Sequence, residues 1–124
     1  AAAHRRGARV LTSGRRGETL HVRSLAPKPA GLDLEVEARA HVFRLSLPLI
    51  GAFQAENALV AAGIVLASGR PTGEVLPLLE RLPGVPGRMQ FAAEARGAGV
   101  FVDYAHTPDA VATALRAIRP HARG

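Results

Sequence analysis

Within the run Gly99-Val100-Phe101-Val102-Asp103-Tyr104-Ala105-His106-Thr107-Pro108-Asp109, a carboxylate, a phenol and an imidazole fall within four residues. Asp103 can accept from ribose hydroxyls or orient a neighbour; the alternative is a loop carboxylate satisfied by backbone N–H groups. His106 can stack on a base, reach a phosphate or hydrogen-bond Asp103, or be a surface imidazole. Tyr104, the only tyrosine, offers an aromatic platform or a packed ring with a wet hydroxyl. Two residues elsewhere carry matching chemistry. The Asn57 amide both donates and accepts, as reading an adenine edge requires, although a bond to a nearby loop would equally satisfy it. Arg88 can reach a phosphate or ribose from a linker, or stand solvated there.

These groups need elements that aim them. The Val- and Phe-rich run ending at Val102 reads as a buried strand, and Thr107 as N-cap, Pro108 at N1 and Asp109 at N2 open a helix. Ligands of open α/β sheets gather at carboxyl ends of strands, and helix N-termini attract anions. Val111, Leu115 and Ile118 should face inward from this helix, Arg116 and Arg119 suit its last turn, and Pro120 stops it. Upstream, Arg88–Ala95 and Val100–Tyr104 should pair as a hairpin through a turn at 96–99. Before them, Leu82-Pro83-Gly84-Val85-Pro86-Gly87 has two prolines and two glycines in six residues, a linker able to join domains.

The first part of the chain has a different character. Residues 1–8 are small and basic and should be frayed; 8–12 could be a short strand before a Ser13-Gly14 turn. Residues 19–25 alternate, with Leu20, Val22 and Leu25 inward, and Pro27 and Pro29 make 26–31 a loop. Residues 32–37 and 42–47 alternate with period two around a short link, a hairpin with one wet face. Residues 54–68 then place Ala55, Leu59, Ala62, Gly63 and Leu66 on one helical face, ended by Gly69. Thr72 can cap a second helix to about Leu82, with Val75, Leu78, Leu79 and Leu82 inward and a kink at Pro77.

Composition bounds the function. The 124 residues are 48% hydrophobic but only 4% aromatic, so the core must be built from Ala, Val and Leu. Without cysteine there is no disulfide and no thiolate metal site, which fits the cytoplasm. The +6 charge is nearly all scattered arginine and lacks interleaved aromatics, so nucleic acid is not expected. The longest apolar stretch, Ala58 to Ala67, is too short for a membrane span. The histidines are dispersed without metal-ligand spacing, and no phosphate loop or nucleophile elbow occurs. The absence of an initiator Met, and of a strand after the last helix, reads as a fragment of a longer protein.

Three blocks resemble the Mur ligase family. Leu47-Pro48-Leu49-Ile50-Gly51-Ala52-Phe53-Gln54-Ala55-Glu56-Asn57 and the following Ala-rich helix are similar to its central-domain Asn block. Leu82-Pro83-Gly84-Val85-Pro86-Gly87-Arg88-Met89 resembles its interdomain Gly-Arg hinge, and Phe101–Asp109 the opening of its C-terminal domain. Phe53-Gln54 with Ala105-His106 is most similar to members adding the third stem-peptide residue of peptidoglycan. The resemblance implies an α/β fold: residues 1–86 end the central ATP-binding domain, with antiparallel strands plus helices. Residues 87–124 begin a Rossmann-like C-terminal domain.

The implied activity is ATP-dependent amide-bond ligation: the carboxylate of UDP-MurNAc-L-Ala-D-Glu is phosphorylated, and a diamino acid, meso-diaminopimelate or lysine, attacks. By motif match Asn57 would contact adenine, Arg88 the nucleotide near the hinge and Asp103 the ribose, with Tyr104 and His106 lining the nucleotide side. The family's phosphate loop, Mg²⁺ ligands, carbamylated Lys and diamino-acid motif have no counterpart here. Inactivity of the segment alone, and a monomeric state for the enzyme, are the expectations. The competing readings are a folylpolyglutamate synthetase-like ligase, distinguished by the substrate consumed with ATP, and a non-catalytic basic nucleotide- or nucleic-acid-binding module. The latter would bind oligonucleotides salt-dependently and be indifferent to Asp103→Ala.

Overall fold

A computed structural model describes residues 6–122; of the expected frayed start, residues 1–5 lie outside the described residues. A sheet of four strands in sequence order, β1 (Ser13–Gly14), β2 (Leu20–Lys28), β3 (Gly31–Ala38) and β4 (His41–Leu47), forms the base. β1 pairs parallel with β2, and the others pair antiparallel, so the sheet is mixed. The strand expected at 8–12 is absent. Ser13-Gly14, expected as a turn, is the paired dipeptide instead. Thr12 sets this local fold by accepting from the Glu18 N–H through Oγ1 at 2.8 Å and from the Leu20 N–H through its carbonyl at 3.0 Å.

β2 explains an irregular pattern. Leu20 and Val22 share parity and Leu25 does not, yet all three were expected inward. The register shifts between Val22 and Ser24, which makes Arg23 the extra residue of a bulge and returns Leu25 to the face of its partner Leu34. β2 also runs through Pro27, which corrects the loop expected at 26–31. β1 reaches only Leu20 and His21, so the outer side of β2 is a free edge at Pro27, where a missing N–H costs no ladder bond. The turn between β3 and β4 is Arg39-Ala40, both with positive φ, 51° and 63°.

Helix α1 (Ala52–Ala67) lies on the apolar face of the sheet. Leu32, Leu34, Val36 and Leu47 are buried against Ala55, Leu59, Ala62 and Leu66. Each fully buried leucine contributes about 2 kcal/mol. The second helix departs from expectation. Pro71 rather than Thr72 is the N-cap residue, α2 spans only Thr72–Val75, and a 3-10 helix continues over Leu76–Arg81. Pro77 has no N–H for an α-helical bond, so the chain tightens instead of kinking. The change of pitch buries Leu76 and leaves Leu78, expected inward, 58% exposed.

The remaining elements are a hairpin, β5 (Gln90–Ala95) and β6 (Ala98–Val102), and helix α3 (Pro108–Ile118), followed by a 3-10 turn over Arg119–His121. The hairpin is antiparallel with Arg96-Gly97 at its tip. β5 starts two residues later than expected, and β6 keeps its expected length but lies two residues earlier, starting inside the expected 96–99 turn. β6 is not buried: Val100 and Val102 are each more than 40% exposed. The Thr107 cap is present, with its side chain accepting from Ala110 N–H. The inward stripe is not, because Val111 and Leu115 are exposed and no residue of α3 is fully buried. Among the described residues no helix is long and apolar enough to cross a membrane.

Candidate functional site

Residues 82–87 form no regular element, and the expected Gly-Arg hinge at their end is a tightly held turn. Gly87 and Met89 both have positive φ, +70° and +48°, on either side of Arg88. A left-handed Met costs about 1–2 kcal/mol, so other contacts must hold the turn. Gly87 N–H donates to Gln90 Oε1 at 3.0 Å, and Gly87 carbonyl accepts from Tyr104 N–H at 2.9 Å. Arg88 carbonyl accepts from Gln54 Nε2 at 3.2 Å. Met89 N–H donates to Asp103 Oδ2 at 2.9 Å. The hinge is thus clasped by α1 on one side and by the end of β6 on the other.

Asp103 carries the centre of this clasp. Its second oxygen, Oδ1, accepts from Ala105 N–H at 2.8 Å, so the backbone-satisfied alternative describes its contacts. A carboxylate offers about four lone-pair directions. Two remain for further donors.

Arg88 and Asp103 line one recess of about 300 Å³, together with Phe53 from α1 and Ala105, Asp109, Ala110, Thr113 and Ala114 from the loop and α3. The volume is near the lower end of small-molecule sites, about 300–1,000 Å³. The recess opens beside the N-terminus of α3, where backbone N–H groups and the helix dipole favour anions.

The other three expected residues do not line this recess. Asn57 is exposed in the second turn of α1, 3.5 Å from Gln54 Oε1 through its Nδ2, a long contact. Tyr104 is 66% exposed, its ring lying over Gly87. His106 is exposed and donates from Nδ1 to the Tyr104 carbonyl at 2.9 Å rather than to Asp103. A carbonyl partner requires the N–H at that nitrogen. Among the described residues no three or more His, Asp or Glu side chains gather as a metal site. The residues present therefore do not supply the Mg²⁺ site that the resemblance implies for the whole enzyme.

Residues missed by sequence reasoning hold the site together. Gln54 is 7% exposed, yet only its place in a motif drew attention to it. Its signal was a polar side chain inside the buried face, one position before Ala55. Gln90 was read only as part of a strand. His121, one of the dispersed histidines and without a local signal, is buried.

The Mur ligase, glutamate ligase domain family matches residues 87–124, beginning at the hinge glycine. The chain is 49% identical over its whole length to the UDP-N-acetylmuramoyl-L-alanyl-D-glutamate–2,6-diaminopimelate ligase of Caulobacter vibrioides, covering 26% of that protein. Among solved structures, a UDP-N-acetylmuramoyl-L-alanyl-D-glutamate–2,6-diaminopimelate ligase superposes with a TM-score of 0.74 at 28% identity, over 94% of this chain and 24% of that one. The MurF ligase of Thermotoga maritima in complex with ADP superposes equally well, TM-score 0.74, at 23% identity over 94% of this chain and 27% of that one. The chain spans about a quarter of the length of the curated relatives it matches. Residues 87–124 thus match the Mur ligase family's glutamate ligase domain, and the chain along its whole length is similar in sequence and fold to Mur ligases.

Proposed function

We propose that this segment supplies one wall of the nucleotide site of an ATP-dependent ligase that joins 2,6-diaminopimelate to UDP-MurNAc-L-Ala-D-Glu in cytoplasmic peptidoglycan precursor synthesis. One observation carries the reading: the hinge clasp turns Arg88 and Asp103 into the same recess at the start of α3. The free lone pairs of Asp103 suit vicinal ribose hydroxyls, and Arg88 suits a phosphate. Asn57, one turn past the hinge-holding Gln54, suits an adenine edge, and the exposed Tyr104 and His106 suit the rim. Residues 1–86 would end the central domain and 87–124 begin the C-terminal one, a division supported by the family match starting at Gly87. The relative's name favours diaminopimelate over lysine and over a folate substrate. ATP phosphorylation of the carboxylate activates it for the amine; this segment's residues bind and orient the nucleotide, and the enzyme acts as a monomer.

The test uses the complete ligase containing this segment. Phosphate release should require ATP, UDP-MurNAc-L-Ala-D-Glu and diaminopimelate together, with lysine a poor substitute. Arg88→Ala and Asn57→Ala should raise the KM for ATP with the amino-acid KM unchanged. Asp103→Asn should do the same and also destabilise the fold by about 1–3 kcal/mol, because one backbone N–H of the clasp loses its acceptor. Turnover with a folate substrate, or ATP KM values unmoved by all three substitutions, would refute the proposal.

A further inference from the structure

His121 is the most buried titratable side chain among the described residues, 8% exposed, and the nucleotide reading gives it no role. Its ring joins positions far apart in the chain. Nδ1 lies 2.7 Å from the carbonyl of Lys28, the last residue of β2, and Nε2 accepts the N–H of Gly51 at 3.1 Å. The two partners demand opposite roles: a carbonyl needs an N–H, and an N–H needs a lone pair. The arrangement therefore selects the neutral ring protonated at Nδ1, and a second proton would abolish the Gly51 bond.

Gly51 is the N-cap residue of α1 and has no side chain to cap the helix. Its φ is +93°, and a Cβ there would stand 3.0 Å from the Cβ of Ala117 in α3 and 2.9 Å from the Phe53 ring. The end of α3 thus presses on the start of α1 at the point where His121 takes the free N–H. From that start, Phe53 reaches the nucleotide recess, Gln54 holds the Arg88 carbonyl, and Asn57 follows one turn later.

We propose that His121 is a positioning residue, a latch that ties the end of α3 to the head of α1 and to the end of β2. It thereby sets the register of the helix carrying Phe53, Gln54 and Asn57 against the hinge. This rests on the nucleotide-site reading above. The latch spans the hinge without being part of it, so any rotation about residues 87–89 that moves α3 from α1 must break both bonds.

The test is a set of three substitutions in the complete ligase. His121→Phe keeps ring volume and removes both bonds; His121→Asn keeps a donor for Lys28; His121→Gln keeps an acceptor for Gly51. Expected is an ATP KM raised about tenfold in His121→Phe with kcat changed less, and faster hydrogen exchange at the Gly51 amide. His121→Gln should restore ATP KM and Gly51 protection better than His121→Asn. If the Phe variant does not fold, the Gln–Asn contrast decides. Equal loss of thermal stability in the Gln and Asn variants, with ATP KM and Gly51 exchange as in the wild type, would overturn the latch. Gly51 exchange is read independently of turnover. An inactive wild type would therefore count against the ligase reading, while unchanged exchange in the variants would count against the latch.

Discussion

Tyr104 closes over Gly87: its N–H donates to the Gly87 carbonyl at 2.9 Å, and its ring fills the place a Gly87 Cβ would take, against Cε2, Cζ and Cδ2. Glycine is required twice here, by a φ of +70° and by the ring. Gly87→Ala should therefore destabilise the protein by about 2–3 kcal/mol, from left-handed strain plus overpacking. In a Tyr104→Ala background the same change should cost only about 1 kcal/mol, since strain alone remains. Denaturant midpoints of the four proteins of this cycle measure the difference; equal costs in both backgrounds would disprove the steric part.

The 3-10 segment gives a test of side-chain register. Leu76 is fully buried and Leu78 is 58% exposed, the reverse of what a continuous helix from Thr72 would place inward for Leu78. Leu76→Ala should cost about 2–5 kcal/mol. Leu78→Ala should stay within about 0.5 kcal/mol. A larger loss at Leu78 would restore the α-helical register.

The β3–β4 turn is built from residues poorly suited to it. Arg39 and Ala40 both sit at positive φ, the geometry that Asn-Gly adopts most readily. Replacing Arg39-Ala40 by Asn-Gly should stabilise the protein by about 1 kcal/mol, seen as a higher urea midpoint with unchanged slope. A lower midpoint would mean that the native side chains make a contact worth more than the strain.

On the wet face of the sheet, Arg44 Nε donates to Glu35 Oε1 at 2.9 Å, and this bond holds the Glu35 carboxyl below the ordinary value of 4.5. Because the folded value is depressed, the pair's stabilisation is present at neutral pH and fades as pH falls through the folded value, below 4.5. Arg44→Gln should return the Glu35 titration, followed by carboxyl NMR shifts, toward the ordinary value. An unmoved titration would assign the shift to other neighbours. The site is solvent-exposed, so the effect on total stability should be small.

Much of the candidate site was legible because its chemistry is local. Thr107-Pro108-Asp109 announces a helix start through cap, fixed φ and dipole, and the helix begins at Pro108. Asp103 was singled out as the acid at a strand end, and it holds the hinge through Met89. That one of its oxygens takes Met89 N–H was not legible, because Met89 is brought there by the hairpin and not by sequence proximity. The stripe of Val111 and Leu115 announced an apolar face, yet among the described residues nothing buries it. Amphipathic spacing shows that a face prefers cover; it does not supply the cover.

By itself the sequence determined the local periods. Two-residue alternation over 32–37 and 42–47 made the hairpin, and spacing of three and four from Ala55 to Leu66 made α1. The Pro–Gly run and its Gly-Arg end marked an irregular segment and the turn that closes it. Only the tertiary structure decided how those pieces lock: the bulge at Arg23 that rescues Leu25, the free edge that lets Pro27 lie in a strand, and Gln54 against the Arg88 carbonyl. His121 joined to Lys28 and Gly51 belongs to the same group. The physical reason is one of range. Backbone sterics and side-chain period act over a few residues, whereas a buried donor must be satisfied by whatever acceptor packing brings to it. In this protein those acceptors and donors lie 34, 70 and 93 residues away.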